Sequence, residues 1–302
     1  MGALDRGQGF ALSPVLFTVP GVAWEVSAYG FFMGLALVTG WLFALGFAAK
    51  DRLPADRLGT SYVVALGVAL VGARAAWLFG NPEAWTGWGS LVTLSQGGLS
   101  PAAGLVVAVV VSIVHTTRMK VPTMVWFDAA APAVALGVAL ERIGALFGGI
   151  GFGRYAPDFA LAIRFPMDSP AFEAHRRGLA QLMPAGAMES LPVYPTQILA
   201  ATLALVGLGL ALWLRSRRRF AGQVCLATVA WLVAARTLIE EPLRADRAEA
   251  SIGPFSPGQV AAAVLVIALM AVWRSRLLAA RADAKAPRPW EGGPWSPAPA
   301  PK

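Results

Sequence analysis

Residues 26–49 read VSAYGFFMGLALVTGWLFALGFAA, a run of 24 residues without one charged side chain. A transmembrane helix needs about 20 predominantly apolar residues to cross the bilayer hydrocarbon, so this run spans it. Six more stretches, at 58–80, 99–117, 121–145, 193–214, 220–239 and 256–273, meet the same test of length and low charge. Across all 302 residues, 57% are hydrophobic and 14% charged, too few polar groups to coat a water-soluble globule of this size. Average usage runs nearer one quarter charged. The 32 glycines suit close helix packing in lipid, and the 11 tryptophans suit its interfaces. The expected fold is an all-α, polytopic membrane helix bundle of seven spans.

Between the second and third spans, residues 81–98 with Trp85 and Trp88 read as an interfacial loop. Between the fourth and fifth, residues 154–191 form a soluble segment, in which AFEAHRRGLAQL predicts a short amphipathic helix. Residues 1–280 then make up the transmembrane domain, and residues 281–302, with six prolines, a disordered tail. MGALDRGQGF lacks the basic region, apolar core and cleavage site of a signal peptide, so the first span is expected to stay in the mature protein.

A formal charge of +8 raises nucleic acid as a partner, but the basic residues fall in short clusters between apolar runs. There they set membrane orientation, and no nucleic-acid partner is expected. With the N-terminus outside, 15 Lys and Arg lie on the inner side, 7 on the outer side and 3 within spans. The positive-inside rule then gives N-out, C-in, with residues 154–191 and the site-bearing ends on the periplasmic side. Cys225 lies in an apolar run, and His115 and His175 are far apart, so neither a metal site nor a cofactor is expected.

The three arginines within spans are Arg74, Arg142 and Arg236. Each costs about 2.5–3.5 kcal/mol at mid-span, so each requires a partner, water or a ligand. Counted from the inner start of their spans, all three lie roughly 24–32 Å deep, in the outer half of the membrane. Tyr29, Glu141, Gln197, Glu240 and Glu241 share that level, which predicts an internal polar cavity. Two readings stand. Arg236 and Glu240, four apart on a helix, could be a structural ion pair. Alternatively the guanidinium forks hold a phosphate, a reading favoured by the lack of obvious sequence partners for Arg74 and Arg142.

The segments YGFFMGLALVTGWLFAL, GARAAWLFGNPEAW, QGGLSPAAGL, FDAAAPAVALGVALERIGALFGGIGFGR, YPTQILAA, RTLIEEPLR and SPGQ follow one another in this order. The chain resembles the bacterial prolipoprotein diacylglyceryl transferases over about four fifths of its length. The resemblance implies an inner-membrane enzyme that moves the diacylglyceryl group of phosphatidylglycerol onto the lipobox cysteine of a preprolipoprotein. The partners implied are phosphatidylglycerol, the preprolipoprotein signal peptide and the membrane. The family signature G-R-x-G-N-F-x-N-x-E-x-x-G-R places its first arginine on Arg142 and its closing pair on Gly153 and Arg154. A later arginine and glutamate fall on Arg236 and Glu240, the first-span tyrosine on Tyr29, and the glutamine of H-P-S-Q on Gln197. The resemblance thus implies Arg142, Arg236, Glu240 and Tyr29 as catalytic, and Gly153, Arg154, Tyr194 and Gln197 as substrate-binding; Arg74 joins the substrate-binding residues through its charge and depth within the second span.

The departures concentrate on polar groups. Ala145 and Gly148 replace the signature's asparagines, Ile150 its glutamate, Ala102 the histidine of S-F-H-G-G, and Tyr194 the histidine of H-P-S-Q. The phosphate clamp is retained, and the proton acceptor would have to be Glu240, Glu141 or Tyr194. The alternative is a catalytically degenerate paralogue that binds anionic phospholipid or lipoproteins. A transporter is the remaining reading, but the Gly-rich break at 144–153 has no counterpart in a second half.

Overall fold

The computed structural model describes residues 14–19, 24–93, 98–245, 254–282 and 290. The expectations for the first ten residues and for most of the proline-rich tail lie outside the described residues. Seven helices are long and apolar enough to cross a membrane. They are α1 (Ala28–Lys50), α2 (Ala55–Gly80), α3 (Pro101–Arg118), α4 (Thr123–Phe147), α6 (Thr196–Ser216), α7 (Gln223–Ala234, continued irregularly to Leu243) and α8 (Pro257–Ala282). Between α4 and α6 lies the short α5 (Pro170–Gly178).

Small residues set how these helices meet. α1 buries Ala36, Gly40, Ala44 and Ala48, one every fourth position. On α2 the same spacing brings Ser61, Ala65, Ala69 and Ala73 inward, and α6 buries Ala200, Ala204, Gly207 and Ala211. Lipid tails are as apolar as leucine, so helices in a bilayer associate through close van der Waals contact along such stripes. α4 is the axis of the bundle, touching α1, α3, α6 and α7. Half of its most apolar stretch is buried, against 6% for α3 and for α8, which present most of their surface to lipid.

The structure corrects the span boundaries in three places. Residues 26 and 27 belong to a hairpin of β1 (Val15–Val19) and β2 (Trp24–Ser27), and α1 starts behind a Ser27 cap that accepts the Gly30 N–H at 3.1 Å. The sixth span loses α-helical pitch at Ala235 and runs through a π-turn (Ala235–Glu240) into a 3₁₀ turn (Glu241–Leu243). The seventh helix continues nine residues beyond the apolar run, to Ala282. In the tail, Trp290 packs on the bundle with Arg218 4.2 Å from its ring centroid.

The connecting segments carry their own small structures. Between α2 and α3, two 3₁₀ turns hold Trp85 and Trp88 edge to face at 5.5 Å. The segment after α4 forms α5 and a 3₁₀ turn (Ala180–Leu182) where the amphipathic helix was expected, over a small core of Phe165, Ala171 and Val193. At the far end of the bundle, Asp51 after α1 pairs with Arg215 at 2.8 Å and takes both forks of Arg218. Nearby, Asp128 on α4 accepts the backbone N–H groups of Gly222 and Cys225 at 2.8 and 2.9 Å, which caps α7. Cys225 is therefore a partly buried residue beside a structural cap.

Candidate active site at the converging helix ends

The start of α1, the end of α4, the start of α6 and the end of α7 meet at one end of the bundle. The centre of that meeting is Glu240, whose side chain is 3% exposed. Its Oε1 lies 3.5 Å from Arg142, 3.5 Å from Arg236 and 3.1 Å from Arg244. Arg142 also pairs with Glu141 at 3.0 Å, and the Tyr29 hydroxyl donates to Glu141 at 3.4 Å. Among the described residues, three guanidinium groups stand against two carboxylates here. Arg236 is the most open of the three cations, with 40% of its side chain exposed. π-turns widen a helix locally and recur at functional sites. Here the turn carries both Arg236 and Glu240.

Residues 148–153 close over this cluster. Their backbone acceptors are taken up by α6, with the Thr196 hydroxyl donating to the Gly151 carbonyl at 2.9 Å and the Gln197 amide donating to that of Ile150 at 3.0 Å. Gln197 is 1% exposed, and its own Oε1 has no hydrogen-bond partner among the described residues. Gly151 has φ +66°, and a β-carbon there would stand 2.7 Å from Arg244. Gly153 lies against Tyr194 so closely that a β-carbon would come within 2.3 Å of the Tyr194 carbonyl oxygen. Both positions thus need glycine for the loop to reach its partners.

A family model described as prolipoprotein diacylglyceryl transferase matches residues 14–274. The chain belongs to the prolipoprotein diacylglyceryl transferase family. Among curated relatives, a phosphatidylglycerol–prolipoprotein diacylglyceryl transferase of Thermus thermophilus is 27% identical over 261 residues, covering 79% of this chain and 90% of the relative. One of Lactobacillus johnsonii is 23% identical, covering 77% of this chain and 80% of the relative. One of Escherichia coli is 30% identical over 164 residues, 51% of this chain and 53% of the relative.

Among the positions expected from the family signature, Tyr29, Arg142, Arg236 and Glu240 come together, joined by Glu141. Gly153 and Gln197 hold the loop above them. Two expectations about partners are corrected. Arg142 is paired with Glu141 and Glu240, and Arg74 donates to the backbone carbonyls of Ser90 and Gly98, each at 2.9 Å. Arg74 is 1% exposed with its guanidinium 4.9 Å from the Trp77 ring centroid, and it ties the Trp85–Trp88 loop to α2. Arg154 has an exposed side chain, and its backbone N–H donates to Leu243 at 2.8 Å. Tyr194 packs against Phe159, with ring centroids 5.0 Å apart.

Sequence reasoning missed Arg244. It falls among the seven basic residues on the outer side, although its spacing from Glu240 equals that of Arg236 on the other side. At the substituted positions, Ala145 is 1% exposed and Ile150 is exposed at 42%, so neither supplies a polar side chain to the cluster.

Proposed function

We propose that this chain transfers the diacylglyceryl group of phosphatidylglycerol to the lipobox cysteine thiol of a preprolipoprotein, at the outer face of a bacterial inner membrane. The observation that carries the reading is the convergence of Arg142, Arg236 and Arg244 on the one buried carboxylate of Glu240. Glu240 keeps the guanidinium groups at one depth without neutralising them. An arriving phosphodiester can then engage Arg236, the exposed fork, and draw on Arg142 behind it. Family membership and the uneven distribution of basic residues support the same side of the membrane: N-out, C-in puts this end in the periplasmic half.

In the reaction, the cysteine sulfur forms a C–S bond to the terminal glyceryl carbon of the diacylglyceryl group. The bond from that carbon to the phosphate oxygen breaks, and glycerol phosphate leaves with the electron pair. The arginines stabilise charge developing on that phosphate. The thiol proton needs an acceptor, and Glu141 is better placed than Glu240. Glu240 is enclosed by guanidinium groups, whereas Glu141 is 22% exposed and linked to Tyr29. Glu141 also stands where the family signature begins with glycine, so a carboxylate has been added close to the positions that lost their polar groups. A free cysteine has a pKa of about 8.5, so nearby cations and one carboxylate suffice to supply thiolate near neutral pH.

The test is a transfer assay with the full chain in phosphatidylglycerol vesicles and a lipobox peptide. A thioether-linked diacylglyceryl peptide should form together with an equal amount of glycerol phosphate. Retention of anionic lipid without any such adduct would replace this reading by the degenerate paralogue.

A further inference from the structure

At the opposite end of the bundle from Glu240, a groove of about 570 Å³ opens between α6, α7 and α8. Its volume lies within the range of small-molecule sites, roughly 300–1,000 Å³. Ala227, Ala230 and Ala234 give α7 a low face and so form the floor, while Trp213 and Trp273 contribute to the walls. Its mouth carries Arg217, Arg219 and Arg281. All three are exposed.

The charge at that mouth is selected within the run 215–219. Arg215 and Arg218 turn inward and are consumed by Asp51. Arg217 lies 4.8 Å from the Trp213 ring centroid, at the edge of the groove. Among the described residues, none of the salt bridges involves Arg217, Arg219 or Arg281. At the same level, the Trp273 ring lies 6.4 Å from Phe220, and its indole Nε1 is buried without a hydrogen-bond partner among the described residues. An apolar slot with three exposed cations at its mouth matches an amphipathic anion. Its chemistry is an acyl chain against the apolar walls and a phosphate at the arginines.

We infer that this groove is a second lipid site, holding one anionic diacyl phospholipid of the cytoplasmic leaflet with its acyl chain along α7 and its phosphate at Arg217, Arg219 and Arg281. Basic pockets between transmembrane helices on that side favour anionic headgroups by charge. The inference does not depend on the transfer reaction, because no residue of the groove belongs to the Glu240 cluster.

The experiment is photo-crosslinking of the full chain in vesicles doped with a diazirine-acyl phosphatidylglycerol, with labelled peptides mapped by mass spectrometry. Diazirine-acyl phosphatidylcholine serves as the zwitterionic comparison. Phosphatidylglycerol should label peptides around Trp213, Ala230 and Trp273 more strongly than phosphatidylcholine does. A variant combining Arg217→Gln, Arg219→Gln and Arg281→Gln should need on the order of 100-fold more lipid for the same labelling, at roughly fivefold per cation near an anionic surface. These side chains are exposed, so its thermal stability should stay unchanged. Ala230→Phe, which fills the floor, should abolish labelling there while leaving labelling near Arg236 intact. Equal labelling by both lipids, or labelling unchanged in the triple variant, would overturn the site. Displacement by millimolar inorganic phosphate would overturn the lipid assignment in favour of a free-anion site.

Discussion

Glu240 faces three guanidinium groups in a setting where water cannot replace it. Its removal should therefore affect more than affinity. Glu240→Gln keeps the shape and deletes the charge, leaving three cations without their shared counter-ion. Breaking a buried ion pair from one side costs about 3–5 kcal/mol. We expect a large fall in thermal stability together with loss of transfer. Arg236→Lys should separate the two effects: a point charge replaces a planar fork at a 40% exposed side chain, so transfer falls at least tenfold while stability barely changes. The missing polar groups suggest a gain-of-function experiment. Ala102→His with Ala145→Asn should raise turnover by a measurable part of the 10² to 10⁴-fold typical of general-base catalysis. In that variant Glu141→Gln should matter less than in the parent. Arg142 and Arg236 were legible in the sequence because an arginine inside an apolar run is costly and so stands out. Arg244 was not, since it lies beyond the last apolar residue and reads like any loop cation.

The segment between α4 and α6 gives a pH dependence whose sign follows from His175. This imidazole is 4% exposed, its Nδ1 accepts the Leu191 N–H at 3.2 Å, and its ring meets Phe152 edge to face. Burial lowers its pKa from the ordinary 6.5, so the folded segment favours the neutral ring. The unfolded segment binds the proton first, so this contribution to stability is full above about pH 6.5 and declines as pH falls below it. Hydrogen-exchange protection across residues 154–191, taken relative to the intrinsic rate at each pH, should fall between pH 6.5 and 5, and His175→Gln should flatten that response. The short helix here was readable from its amphipathic pattern. The hairpin of β1 and β2 was not, because the apolar residues of β2 run directly into those of α1. Nor did any residue mark the π-turn: RTLIEE has the composition of an ordinary helix end, and the extra width shows only in the folded backbone, where the turn packs against α6 and α8.

Over the whole molecule, seven apolar runs were enough to find seven helices, since length and lack of charge are what a bilayer requires of a span. Which helix would be the axis was not evident, because the stripes of small residues on α1, α2 and α6 look alike until they are paired. Orientation rests on 15 basic residues against 7. A periplasm-active reporter fused after Ala282 should be inactive, and a cytoplasm-active one active; the reverse result would invert the membrane side of both proposed lipid sites. The two attachments between α4 and α7 bear on how a lipid enters. One is the Asp128 cap on the start of α7, the other the Arg142–Glu240 pair. Positions 128 and 142 are about 21 Å apart along α4, at 1.5 Å per residue. Two helices pinned at points that far apart can neither slide nor roll against each other, so they behave as a fixed frame. The freedom needed to admit a two-tailed substrate from the side then falls to the helices this frame does not hold, above all α3 and α8, whose apolar stretches are only 6% buried.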